Sequence, residues 1–345
     1  MRSNEQPADS LGSGCGPSCN HDLPIAARPI SRRMFLRSTT AALAVTGIVP
    51  NRLFAGQSSS SAAETKVKEL FDSFSADQKK ALCFPFEHEL QRKVSANWAI
   101  TPSKIEDLAE PQQEMIESIL KGLTSEDGYE KFQVQMEKDG GGLNQYHIAL
   151  FGEPGDKNFE FVMTGRHMTM RADGNSIDKV CFGGPMFYGH AAESFNEGPS
   201  HRGNVFWYQA VRANEVFAAL NPDQRKIALV EKSPNEDAID HRATGYAGLA
   251  VGQLSSDQKE LVDRVMADLL SPYRKNDVDE VLDVLKANGG LDKIHLAYYQ
   301  LDQDGKNGDI GKDGVWDIWR MEGPGFVWHF RGFPHVHTWV NIARV

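Results

Sequence analysis

Apolar positions recur at helical spacing over residues 64–74, 76–93, 112–121, 206–220, 223–231, 256–270 and 277–287, and each stretch predicts a helix. Alternating or short apolar runs bounded by Gly, Pro and Asn predict strands over 145–151, 158–171, 177–182, 293–301, 314–321, 325–331 and 336–344. Neighbouring strands in both groups are joined by glycine-rich turns, which favours antiparallel pairing. The order is helices, strands, helices, strands, without regular βαβ alternation. That order predicts an α+β fold, a mostly antiparallel sheet with helices packed against it, in a single compact domain.

Three helix starts share one logic: Ser75-Ala76-Asp77-Gln78, Asn221-Pro222-Asp223-Gln224 and Ser255-Ser256-Asp257-Gln258. A capping side chain comes first, an acid sits in the positive first turn, and Gln three residues after the cap can return to the cap N–H. Spacings of 146 and 34 residues are too uneven for a solenoid, so they read as recurrent helix starts.

The first 55 residues stand apart. Ser31-Arg32-Arg33-Met34-Phe35-Leu36-Arg37 followed by an apolar run from Ala41 to Val49 has the form of a twin-arginine export signal. The run is too short for a membrane span, which needs about 20 apolar residues. Residues 1–55 are therefore expected to be a signal peptide handled by the twin-arginine translocation machinery. Residues 56–66 are expected to be a Ser-rich linker, and 67–345 a globular domain without a membrane span, periplasmic or extracellular. Six arginines against Glu5, Asp9 and Asp22 give the leader +3, so the chain's −10 leaves about −13 for the remainder. Such a balance excludes nucleic acid as a natural partner, because its binding rests on cationic side chains. Cys83 and Cys181 remain after processing; they read as buried small hydrophobes, with pairing in an oxidising exterior as the alternative.

The sharpest chemistry is Pro334-His335-Val336-His337. On a strand His335 and His337 face the same way, about 6–7 Å apart at Cβ, close enough to share a metal once a third ligand arrives. Trp339 and Asn341 share their face, and Val336, Thr338, Val340 and Ile342 form the greasier one. A second candidate is Gly165-Arg166-His167, at the end of a stripe of Phe159, Phe161 and Met163; Gly165 leaves room for another group to approach. Arg166 projects oppositely and can hold an anion or merely pair with an acid. The long segment 183–203 carries Tyr188, His190 and His201 and reads as a lid or site rim. Tyr188 is a candidate substrate contact there, and His201 a candidate acid–base. His329 alternates against Phe326, Trp328 and Phe330 and is expected to face solvent. The segment from Asp302 resembles a calcium loop, but Lys306, Asn307 and Asp313 occupy the positions that should hold a ligand, Gly and Glu, so a polar turn is expected. No phosphate loop, Gly-x-Ser-x-Gly or His-Glu-x-x-His is present.

Tyr146-His147-Ile148-Ala149-Leu150-Phe151-Gly152-Glu153-Pro154, then Gly165-Arg166-His167, Phe182-Gly183-Gly184-Pro185, Leu220 to Ala228, Gly323-Pro324, His335-x-His337 and Arg344 follow in order. Together with Arg92, Trp98 and Thr101-Pro102, this order resembles the family called domain of unknown function 3500, over roughly residues 70–340. The resemblance implies a single-domain unit, usually exported, with histidine motifs in its middle and at its end, and no assigned reaction. It also implies Gly-His-His where this chain has Gly165-Arg166-His167, so only His167 carries over. Arg344, in the last of these motifs, joins Arg166 and Tyr188 as a candidate substrate-binding residue.

Two functions fit these residues. In one, His167, His335 and His337 meet on facing strands and hold zinc, copper or iron in a hydrolase or oxidoreductase acting on a small molecule. In the other, the histidines are hydrogen-bonded core residues of a ligand-binding or structural module, and the aromatics from Trp316 to Trp339 fill the core. A hydrolase using His167 as base toward Ser194 or Ser200 lacks a nucleophile-turn signature.

Overall fold

The computed structural model describes residues 62–155, 158–173, 180–191, 203–306 and 314–345. The leader and residues 56–61 of the expected linker lie outside the described residues, and residues 62–66 open a helix. No helix of the described part is long and apolar enough to cross a membrane.

The chain runs through the same series of elements twice, the second time with one extra short strand. The first series is α1 (Ala62–Ser73), α2 (Ala76–Leu82), β1 (Cys83–Phe84), α3 (Glu110–Leu123), α4 (Glu126–Gly140), β2 (His147–Gly152), β3 (Phe159–Gly165), β4 (Met168–Asp173) and β5 (Met186–His190). The second is α5 (Trp207–Ala219), α6 (Pro222–Ala228), β6 (Leu229–Lys232), β7 (Leu249–Ala250), α7 (Ser256–Leu270), α8 (Lys275–Ala287), β8 (His295–Leu301), β9 (Ile318–Gly323), β10 (Phe326–Arg331) and β11 (Val336–Ile342). One sheet in the order β1-β2-β3-β4-β5-β11-β10-β9-β8-β6 joins them, with β7 added on β8. The order is mirrored about the β5–β11 pair, where Tyr188 stands opposite Thr338. The first strand of each half joins in parallel, β1 to β2 and β6 to β8, and every other pairing is antiparallel. Both outer strands are short, which limits edge-to-edge association.

The expected helix starts are all present. Ser75, Asn221 and Ser255 cap α2, α6 and α7, and the side chains of Gln78, Gln224 and Gln258 accept from the cap N–H groups. Gln112 does the same for Ala109 ahead of α3, so each half carries two such starts, 34 residues apart.

Several boundaries differ from the pattern-based expectation. The helix expected over 76–93 stops at Leu82, where Cys83 and Phe84 turn extended to pair with β2. The helix expected to 231 likewise ends at Ala228, because Leu229 opens β6. The strand expected over 158–171 is a hairpin, folded at Arg166-His167. Of the strand expected over 177–182, the described part is a bridge at Val180 and a 3-10 turn at Cys181–Gly183. β5 lies inside the segment read as a loop, so that segment supplies a central strand before leaving the described residues at 192. Helix α4 had no predicted counterpart. Its Gly128 packs so closely on Pro272 that a Cβ there would lie 1.9 Å from the carbonyl oxygen. The glycine that lowers the helical signal is the one that packing requires.

The helices bury one face of the sheet in the main core, with Tyr188, Val336, Val340, Trp319 and Trp328 among its side chains. The other face is covered by two irregular straps, residues 85–104 and 233–248. Buried cations pin both. Arg171 donates to the carbonyls of Gln91 and Lys93 and pairs with Glu160. Arg320 donates to the carbonyl of Ala238 at 2.9 Å. The straps meet over Phe187, Val327 and Trp339, where Val94 and Ala96 approach from one and Ile239 from the other. Cys83 and Cys181 are free thiols, and burial pushes the Cys83 thiol up to about 11.

Candidate metal centre

The histidine cluster lies where the two straps and the two halves of the sheet meet. His167 occupies the tip of the β3–β4 hairpin with φ +54°, a left-handed conformation that costs a non-glycine residue free energy. Three hydrogen bonds hold it. Its N–H donates to Ala96 O at 2.8 Å, and its carbonyl accepts from the Gly189 N–H at 3.1 Å and from Gln135 Nε2 at 2.8 Å. The group that approaches Gly165 is the Tyr146 ring, whose hydroxyl donates to Arg166 O at 2.8 Å. His337 comes from β11, opposite Gly189 and Arg331, and His335 from the bend just before that strand.

The Nε2 atoms of the three rings converge. His167 Nε2 lies 3.1 Å from His335 Nε2, which lies 2.9 Å from His337 Nε2. The far sides of two rings face carboxylates: His167 Nδ1 is 2.7 Å from Asp139 Oδ2, and His337 Nδ1 is 2.9 Å from Glu236 Oε1. An ionised carboxylate only accepts, so it fixes the proton on Nδ1 and leaves the Nε2 lone pair pointing inward. His335 can place one proton between them, which serves one of the two close contacts. Burial pushes His335 down to about 3 and His337 well below the ordinary histidine value, so both of these rings disfavour an added proton. A metal cation relieves the crowding. Nitrogens bound at 2.0–2.1 Å around a tetrahedral ion sit about 3.3–3.4 Å apart, a few tenths of an ångström from the present spacing. The three residues fit a metal, as a buried group whose ligand atoms lie within 4.8 Å of one another.

Each carboxylate is itself backed by an arginine. Glu236 Oε2 pairs with Arg331 Nε at 2.8 Å, and Asp139 Oδ1 lies 3.6 Å from Arg166 Nε while accepting from the Ala191 N–H at 3.0 Å. Burial pushes the Glu236 carboxyl up, and Arg331 opposes that shift. Phe187 forms an apolar wall, 5.0 Å from the His337 ring and edge-on to it.

A family model described as protein of unknown function (DUF3500) matches residues 56–339. The chain belongs to that family. The match spans both halves of the fold and takes in His167, His335 and His337. No curated protein and no solved structure matches the chain.

The structure brings together His167, His335 and His337, with Arg166 behind Asp139. The other candidates lie elsewhere. Tyr188 is in the main core with its hydroxyl donating to Gln209 at 2.7 Å, on the opposite sheet face from His337. Arg344 is exposed beyond the far end of β11, seven residues from His337 or about 23 Å along an extended chain. His201, Ser194 and Ser200 lie outside the described residues. His329, expected to face solvent, is buried under the strap and accepts from Arg320 Nε at 3.2 Å. Alternation correctly put it opposite Trp328, but that face is covered.

Asp139 and Glu236 had no signal as site residues. Asp139 sits in the last turn of the unpredicted α4, where a carboxylate opposes the helix dipole. Glu236 follows Pro234-Asn235 and reads as an exposed turn.

Proposed function

We propose that this protein is an exported metalloprotein in which His167, His335 and His337 hold one divalent transition ion, zinc in the first place, for Lewis-acid chemistry on a small molecule. The observation that carries this reading is the convergence of three Nε2 atoms at 2.9 and 3.1 Å while Asp139 and Glu236 occupy two of the Nδ1 positions. An all-imidazole set of three with an open fourth position suits zinc, which there polarises a carbonyl or lowers the pKa of water toward 7. The chain's own residues keep the rings in register. Asp139 and Glu236 fix the tautomers, Gln135 and Gly189 hold the strained His167 backbone, and Phe187 excludes water from one side.

Elemental analysis of the purified mature protein tests the proposal. The expected result is about one metal per chain, lost in the H335A/H337A variant; wild-type protein without stoichiometric metal rejects it. Export rests on the Arg32-Arg33 segment. An R32K/R33K variant is expected to stay in the cytoplasm, as read by cell fractionation.

A further inference from the structure

We propose that the fourth position of this centre takes a small oxyanion, a carboxylate or an inorganic oxyanion, bound directly to the ion. The inference rests on the metal reading above and on a charge count around the cluster.

Three neutral imidazoles bring no charge. Asp139 and Glu236 bring two negative charges, but both are directed at Nδ1 atoms, on the far side of the rings from the converging Nε2 atoms. Each is also offset by a cation, Arg331 on Glu236 at 2.8 Å and Arg166 on Asp139 at 3.6 Å. The side chains of Asp139 and His167 are nearly inaccessible, and those of Glu236 and Arg331 are each below one-fifth exposed, so water screens the group weakly. Among the described residues no carboxylate or thiolate joins the three histidines within the ligand spacing. A divalent ion placed there retains nearly its whole charge, and an anion in the fourth position lowers the free energy of the buried site more than a neutral molecule does. Zinc accepts carboxylate oxygen beside imidazole nitrogen, so an oxyanion can complete its shell.

The test uses the full mature protein loaded with cobalt(II), whose visible ligand-field spectrum reports coordination without any assay of activity. Acetate, inorganic phosphate and uncharged acetamide are titrated separately at constant ionic strength. Saturable spectral change with acetate identifies the carboxylate class, and change with phosphate identifies the inorganic class; either supports the proposal. An unchanged spectrum with both anions, or an equal response to acetamide, overturns it. Failure of cobalt to bind the wild type overturns the metal reading instead, so the two failures are separable. Removing one flanking cation in R166Q is expected to weaken anion binding about tenfold while cobalt still binds. Arg166 is one-third exposed, which makes this variant safer for folding than one at Arg331. Undiminished anion affinity in R166Q overturns the charge argument.

Discussion

Asp139 accepts the Nδ1 proton of His167 across 2.7 Å, from the last turn of α4, with its side chain fully buried. A carboxylate at that helix end opposes the dipole and is retained at a cost to the helix. The compensation is a fixed tautomer that turns Nε2 toward the cluster. In D139N the amide can present N–H instead of oxygen to His167, and the carboxylate's contribution to imidazole basicity is gone. Metal affinity is expected to fall about 10- to 100-fold, the usual effect of losing such a support. Competition against a chromophoric chelator measures it.

Glu236 has the same relation to His337, but its second oxygen is tied to Arg331 at 2.8 Å under the strap. E236Q therefore leaves a largely buried guanidinium short of its counter-charge, whereas in D139N the partner Arg166 is one-third exposed and can turn to water. Breaking a buried pair costs about 3–5 kcal/mol, and the residual exposure here reduces that to roughly 2–4 kcal/mol. Urea unfolding of the metal-free variants is expected to place E236Q below D139N in stability. The reverse order would mean that the strap does not depend on this ion pair.

The α+β class and the antiparallel pairing were legible in the sequence around Phe159–Gly165, Phe326–Arg331 and Val336–Ile342, since the alternation of side chains between two faces is a local property of a strand, although here both faces are buried. So were the capped starts at Ser75, Asn221 and Ser255. His335 and His337 were legible as a pair. His167 was chosen for its phase on a long strand, yet it reaches the cluster from a hairpin tip in a left-handed conformation that no phase argument describes. The acids behind the rings depend on a helix end and a strap folding back from 28 and 101 residues away, respectively, which periodicity does not encode. One further signal was present: Gly141-Gly142-Leu143 with His147 and Ala149 recurs as Gly289-Gly290-Leu291 with His295 and Ala297. Gly142 and Gly290 both take positive φ, +98° and +80°, ahead of equivalent strands. The 148-residue echo marks the duplicated halves, and with them the seam where the histidines sit.

Gly189 tests that seam. A Cβ there would lie 2.4 Å from the Val336 carbonyl and 3.4 Å from His167 Cδ2. The first contact is with backbone, which cannot swing aside, so G189A must spread the β5–β11 pair that joins the halves. Overpacking of this kind costs about 1–3 kcal/mol. Because the Gly189 N–H also holds the His167 carbonyl, the same variant is expected to bind metal substoichiometrically. Thermal unfolding and elemental analysis of one preparation check both outcomes.

A pH-dependent prediction arises away from the histidines. Asp173, at the end of β4, is pushed up to about 7, first by burial and then by Glu280 and other acids. Between its ordinary value of 3.8 and about 7 the folded chain holds a proton that the unfolded chain has released. The folded state therefore loses stability as pH rises through this window, and above it a buried carboxylate persists against neighbouring acids. D173N removes that charge with little change of shape. Its stability is expected to match wild type near pH 4 and to exceed it by roughly 2–4 kcal/mol at pH 8. His335 acts in the opposite sense in metal-free protein. Its value, lowered from 6.5 to about 3, makes the unfolded chain the better proton binder, so stability falls as pH drops below about 6.5. That loss is common to both proteins and cancels in the difference. Urea unfolding of wild type and D173N at a series of pH values separates the effects, and a gap that fails to widen from pH 4 to 8 would show that Asp173 remains solvated in the folded chain.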